Sequence, residues 1–223
     1  MTREFPPIGR RELLLALAIP AVAIAVPFHP AIAATDNDAE AIAPVQRLDA
    51  ALLAAMDDIP RVAAGTPVTR IHGDFHLGQV LVATGDTYII DFEGEPGRSL
   101  EERRAKASPL RDVAGLVRSL DYVAANLADR KNLRTGPMSS DRTQDLLERF
   151  RTDATAAFLK SYRAAATSVG GIWNSRLLDL LLLEKAAYEI NYEAANRPQW
   201  LPIPLAGMAR LARGILGEEE QNP

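Results

Sequence analysis

Residues 68–95 read VTRIHGDFHLGQVLVATGDTYIIDFEGE, and the fold turns on how this stretch is parsed. Its periodicity predicts a short strand near Val68–Ile71 and then an irregular loop. A β-hairpin follows: Gln79–Ala83, a turn at Thr84-Gly85-Asp86, and Thr87–Ile90. Two carboxylates therefore fall at special places. Asp74 lies in the loop after the first strand, and Asp91 lies where the second hairpin strand ends.

Phosphoryl transfer asks for few protein groups. One residue orients the attacking hydroxyl and accepts its proton, and others hold magnesium against the nucleotide phosphates. In protein kinases an Asp is followed after four residues by Asn, and a D-F-G lies downstream. Here Asp74 is followed after four residues by Gln79, and Asp91-Phe92-Glu93 comes after one hairpin. The expected roles are Asp74 as catalytic base, with Gln79 and Asp91 as magnesium ligands. A Gln carboxamide oxygen can replace that of Asn. Gly73 stands where H-R-D has Arg, and Ser99–Ser108 is too short for an activation loop, which points to a constitutive small-molecule kinase. His72 is expected to be a hydrogen-bonded structural residue of the loop. His76 either approaches phosphate or packs, and Glu93 either assists the metal or fixes the loop.

Three segments together, HGDFHLGQVL, IIDFEGEPGRSLEER and SPLRDVAGLVRSLDYVA, resemble bacterial maltokinase, including the kinase domain fused to trehalose synthase. That group is aminoglycoside-phosphotransferase-like, and the resemblance runs from about Pro44 to Gly217. It implies a predominantly helical α+β fold, a protein-kinase-like C-terminal lobe with a catalytic-loop hairpin and a helical bundle. It implies maltose and ATP as substrates, Mg2+ with the ATP, and the same roles for Asp74, Gln79 and Asp91. An amino sugar or aminoglycoside as acceptor, and a non-catalytic sugar-binding remnant, stand as alternatives. Before Asp74 the chain has neither a Gly-rich loop nor a lysine, the first being Lys106. The resemblance thus covers the catalytic lobe alone, with a matching N-terminal lobe or trehalose synthase as the implied partner. Weak Mg-ATP binding by the chain in isolation is the corresponding expectation.

Downstream, Ser108-Pro109 reads as a helix start, an N-cap oxygen followed by a ring that fits the first turn. That helix runs through Val113, Leu116, Val117 and Leu120. Asp112 near its start resembles the Asp that braces the catalytic loop in kinase folds, or is an ordinary first-turn residue. Helices are expected at about 142–168 and 176–196, the latter ended by Arg197 before Pro198. Tyr188 and Tyr192 are four apart and share a helix face, with Arg197 and Trp200 at its end. Aromatic faces beside hydrogen-bonding groups suit a sugar, and these four are the candidate sugar contacts.

The N-terminus differs from the rest. Arg10-Arg11, an apolar run from Leu13 to Val26, and Ala31-Ile32-Ala33 have the three parts of an export signal, of twin-arginine type. The run is too short for a stable membrane anchor. A kinase needs cytoplasmic ATP, so cytoplasmic residence and export stand as competing readings. The domain reading is an extension over 1–43, the lobe over 44–217 with a helix from Pro44 to Ile59, and an acidic tail over 218–223. The 223 residues are 48% hydrophobic and carry a net charge of −4. That supports a real core and supplies no global positive field for nucleic acid. With no cysteine and only His29, His72 and His76, zinc is disfavoured, and any metal should be a hard cation held by oxygen.

Overall fold

The computed structural model describes residues 59–131, 140–168, 171 and 173–216. The segment read as an export signal, the helix expected from Pro44 and the acidic tail lie outside the described residues. The described chain is predominantly helical with one two-stranded sheet. In order come helix α1 (Ile59–Ala63), strands β1 (Val80–Ala83) and β2 (Asp86–Ile89), and helix α2 (Leu100–Arg104). Helices α3 (Leu110–Lys131), α4 (Ser140–Ser168), α5 (Ser175–Asn196) and α6 (Pro202–Leu216) follow.

Helix α5 is the centre. Leu177, Leu178, Leu181 and Leu182 bury against Leu110, Val113 and Ala114 of α3, with Phe158, Leu159 and Tyr162 of α4 at the edge. One turn later Leu183, Ala186, Ala187 and Ile190 pack on Leu205, Met208 and Ala212 of α6. A helix buried on more than one side must be apolar around most of its circumference, as 177–183 is. Its start is fixed by Asn174, whose Oδ1 accepts from the Leu177 amide at 3.0 Å while Nδ2 donates to the Val62 carbonyl. The cap therefore also ties α1 to the bundle.

The hairpin is antiparallel in the register Val80↔Ile89 to Ala83↔Asp86. Thr84 and Gly85, at φ 53° and 87°, turn it. Two consecutive positive φ values are what a two-residue turn needs to match the strand twist. One expectation fails. Val68–Ile71 is not a strand: only Thr69 pairs, through two backbone bonds with Ala107. With Ala107 as the sole partner residue, no ladder can propagate. The segment Ser99–Ser108 contains the short helix α2, opened by a capping box between Ser99 and Glu102, and no residue of that helix is buried. Helix α6 and the single turn Pro198–Trp200 before it were not foreseen from the sequence.

Candidate active site

The hairpin brings Gln79 and Asp91 together, although they lie twelve residues apart. Past the last strand pair the Ile90 amide donates to the Gln79 carbonyl at 3.0 Å, so the two residues sit at the open end of the hairpin. There Gln79 Nε2 donates to Asp91 Oδ2 at 2.9 Å. Gln79 is buried. Asp91 adopts φ 65°, a left-handed conformation that costs a non-glycine residue free energy and that Asp tolerates better than most.

Asp74 is joined to this pair through His72. The Asp74 amide donates to His72 Nδ1 at 3.3 Å, which places the ring proton on Nε2, and Nε2 meets the Ile90 carbonyl at 2.7 Å. The imidazole is buried, with Phe75 and Phe92 against it. Both ring nitrogens are engaged, so His72 fixes the loop and has no free nitrogen to act as an acid or base. Asp112 holds the same loop from α3. Its two oxygens accept from the amides of His72 (2.7 Å) and Gly73 (2.9 Å). Burial raises the Asp112 carboxyl above its usual range, and the two amides offset part of that. Gly73 sits at φ 86°, and a Cβ there would lie 3.1 Å from the Gly94 Cα. The arginine of H-R-D therefore has neither the backbone nor the space. On α3, a Cβ at Gly115 would lie 2.5 Å from the Phe75 carbonyl, so only glycine lets the loop settle on the helix. His76 caps the turn Leu77–Gln79 by accepting from the Gly78 amide at 3.1 Å. Glu93 contributes its backbone carbonyl, which accepts from Arg103 at 3.3 Å.

A cleft of about 450 Å³ opens beside Asp74 and His76 and runs along α5. Its wall is one face of that helix: Lys185, Tyr188, Glu189, Tyr192 and Glu193, at i, i+3, i+4, i+7 and i+8. The two tyrosine rings stack with centroids 6.3 Å apart. Lys185 Nζ stands 3.7 Å from Asp74 Oδ1 and 5.0 Å from the Tyr188 ring, and is ion-paired with Glu95. Burial alone would push Glu95 up, but Lys185 and Arg98 outweigh it and hold the carboxyl below its usual range. Burial likewise works against the Lys185 charge, but Glu95 and Asp74 raise its pKa, so the ammonium is permanent near neutral pH.

At the far end Arg197 grips Glu193 with two bonds of 2.9 and 2.6 Å, and Tyr122 donates to Glu193 Oε1 at 3.1 Å. The Arg197 guanidinium lies 4.9 Å from the Trp200 ring and 5.3 Å from Tyr192. Trp200 stacks on Tyr122 at 5.9 Å and does not line the cleft. Of the four candidate sugar contacts, Tyr188, Tyr192 and Arg197 reach the cleft and Trp200 stands one layer behind.

The sequence reading missed Lys185, Glu95, Glu189 and Glu193. Buried carboxylates on an apolar helix were the available signal, since Glu189 and Glu193 sit four apart on the tyrosine face. For the metal, no group of three or more His, Asp or Glu side chains gathers among the described residues. The Gln79–Asp91 pair still fits magnesium, which takes one or two protein oxygens and completes its shell with water and phosphate.

The chain has a kinase-like fold. It superposes on a solved structure of glucosamine kinase in complex with glucosamine, ADP and inorganic phosphate at a TM-score of 0.71 and 22% identity, over 96% of this chain and 50% of that one. A second glucosamine kinase structure, crystal form A, gives 0.70 at the same identity over 49% of its chain. In sequence, residues 4–94 match the APH phosphotransferase enzyme family, a match that begins inside the segment 1–43 and ends just past Asp91. The chain is 31% identical over 147 residues to a glucosamine kinase of Streptacidiphilus jiangxiensis, covering 63% of this chain and 31% of that protein. To a glucosamine kinase of Mycolicibacterium smegmatis it is 31% identical over 151 residues, 66% of this chain and 35% of that protein. The chain thus spans about a third of the length of these curated relatives and about half of the solved ones. No helix among the described residues is long and apolar enough to cross a membrane.

Proposed function

We propose that this chain carries the phosphoryl-transfer centre of an APH-family kinase that moves the γ-phosphoryl group of ATP to a hydroxyl of an amino sugar. The observation that carries this reading is that His72 ties the Asp74 amide to the Ile90 carbonyl next to Asp91, with Asp74 lining an aromatic-walled cleft. Asp74 orients the acceptor hydroxyl and takes its proton, and the bidentate hold of Asp112 on the loop keeps that carboxylate in place. Lys185, fixed by Glu95, sets a cation beside Asp74. Gln79 and Asp91 would hold magnesium, which supplies charge neutralisation for the nucleotide phosphates. Tyr188 and Tyr192 offer apolar faces to the sugar ring.

The acceptor is the point at which this reading leaves maltose. The two curated relatives described above are named glucosamine kinases, which supports the amino-sugar alternative over the maltose implied by the sequence motifs. The test is calorimetric titration of the full chain with glucosamine, maltose and an aminoglycoside, followed by ADP release with Mg-ATP. Glucosamine is expected to bind most tightly. Where ADP release is measured, Asp74→Asn should lower turnover by about a hundredfold or more. Tighter binding of maltose, no binding of any sugar, or an Asp74→Asn variant within a few-fold of wild type would overturn the proposal.

A further inference from the structure

The bundle holds a second cleft, larger than the first. It measures about 550 Å³ and opens between α4 and α6, over a floor of Val117 and Asp121 from α3 and Leu182 from α5. It shares no lining residue with the first cleft, and the phosphoryl-transfer centre makes no use of it. Three guanidinium groups meet there on one carboxylate. Asp121 takes Arg118, Arg210 Nη2 at 2.5 Å and Arg151 at 3.8 Å. Arg118 spends its other donors on Glu189, at 2.9 and 2.7 Å. It is 2% exposed, and a Cβ at Gly207 would fall 1.9 Å from its Nη1, so it is fixed in place.

The other two arginines are less fully matched. Arg151 leans on Glu148, whose side chain is 56% exposed, and water screens a pair of that kind. Arg210 has Asp121 alone. Its Nε and Nη1 make no hydrogen bond among the described residues. Burial, with Arg151 and Arg118 nearby, holds the Arg210 pKa below its usual value despite Asp121. A guanidinium does not give up its proton near neutral pH, so added negative charge is what would settle it. Further along the cleft Leu159, Leu182 and Leu211 are apolar, and Thr155 carries a hydroxyl. Asp179 adds a half-buried carboxylate that no hydrogen bond from a described residue reaches, and burial raises it above its usual range. A large cleft with a few convergent polar groups of shifted pKa has the form of a ligand site.

We propose that this second cleft binds a small organic oxyanion, with its phosphate or carboxylate group held between Arg210 and Arg151. The anion accepts from the open nitrogens of Arg210, and charge assists the bonds from both walls. Its carbon body rests on Leu182 and Leu211, and a hydroxyl on that body reaches Thr155 or donates to Asp179. Asp121 and Glu148 already offset part of the arginine charge, so affinity is modest, with a Kd of about 0.1–1 mM. The inference is independent of the phosphoryl-transfer reading, because neither Asp74 nor Asp91 lines this cleft.

The experiment titrates the full chain calorimetrically with hexanoate, glucose 6-phosphate and inorganic phosphate, and with hexanol and glucose as uncharged counterparts. At least one organic anion is expected to bind, and the tighter of the two tells whether a carboxylate or a phosphate bears the charge. Arg210→Gln should weaken that binding by about tenfold or more. Tyr192→Ala, in the first cleft, should leave it within about threefold, which separates the two clefts. Should Arg210→Gln unfold, Arg151→Gln on the opposite wall serves, with an expected loss of about threefold or more. No binding of either organic anion at about 10 mM would overturn the proposal. So would equal binding of the uncharged counterparts, or inorganic phosphate bound as tightly as the organic anions. A loss on Tyr192→Ala with none on Arg210→Gln would move the anion to the first cleft and overturn it as well.

Discussion

Replacing Asp112 by Asn probes how the catalytic loop is held. In the folded chain the carboxylate accepts from two consecutive amides, His72 and Gly73, forty and thirty-nine residues away in sequence. Asn retains one carbonyl oxygen and must turn an NH2 toward the other amide, so one hydrogen bond becomes a donor facing a donor. A bond to a charged acceptor contributes about 1.5–3 kcal/mol, and an unpaired buried amide costs about 1–3 kcal/mol. Against this, burial already disfavours the Asp112 charge, and removing it returns part of the loss. The net destabilisation should be about 2 kcal/mol. For a chain of this size each kcal/mol shifts Tm by roughly 2–4 °C, so a fall of about 4–8 °C is expected. The loop should also loosen locally, with faster amide hydrogen exchange at residues 72–74 than in α5. Thermal unfolding followed by circular dichroism and peptide-level exchange together read both effects. A Tm within about 1 °C of wild type, with unchanged exchange over 72–74, would refute the bracing argument.

Three further outcomes follow from the same geometry. Glu95, held low by Lys185 and Arg98, contributes stability that is present above the unfolded carboxylate pKa and is lost as pH falls through its lower folded value. Glu95→Gln should therefore be destabilised at pH 7 and approach wild type in strong acid; a deficit that stays constant between pH 7 and pH 2 would contradict this. Gly207→Ala must displace Arg118 from Asp121 and Glu189, and breaking a buried pair costs about 3–5 kcal/mol, so its denaturation midpoint should drop sharply while Gly214→Ala, with open space around its Cβ, should not. At the left-handed Asp91, Asn keeps a tolerated backbone and Ala does not, so Asp91→Asn should lose magnesium-dependent nucleotide binding with little change in Tm, whereas Asp91→Ala should also lose about 1 kcal/mol of stability.

The hairpin, the loop carrying Asp74 and the three long helices α3 to α5 were legible because each is written in local chemistry: β-branched runs about a turn, N-caps and a 3.6-residue apolar period. Gln79 and Asp91 could be brought together on paper because they flank one hairpin, although its turn is the two residues Thr84 and Gly85 and not the expected three, since Asp86 already pairs with Ala83. The double grip of Asp112 could be anticipated only by resemblance, since a first-turn Asp reads the same whether it faces water or a loop. What tertiary structure alone decided is how partners distant in sequence share one charge balance. Lys185 meets Asp74 and Glu95 across ninety residues or more, and Arg118 reaches Glu189 across seventy-one. Ion pairs have no sequence period and no fixed separation, so a buried Glu on α5 cannot announce its partner. The glycines make the same point. Gly115 and Gly207 look like weak places in helices α3 and α6, until the Phe75 carbonyl and the Arg118 guanidinium are seen in the space a methyl would need.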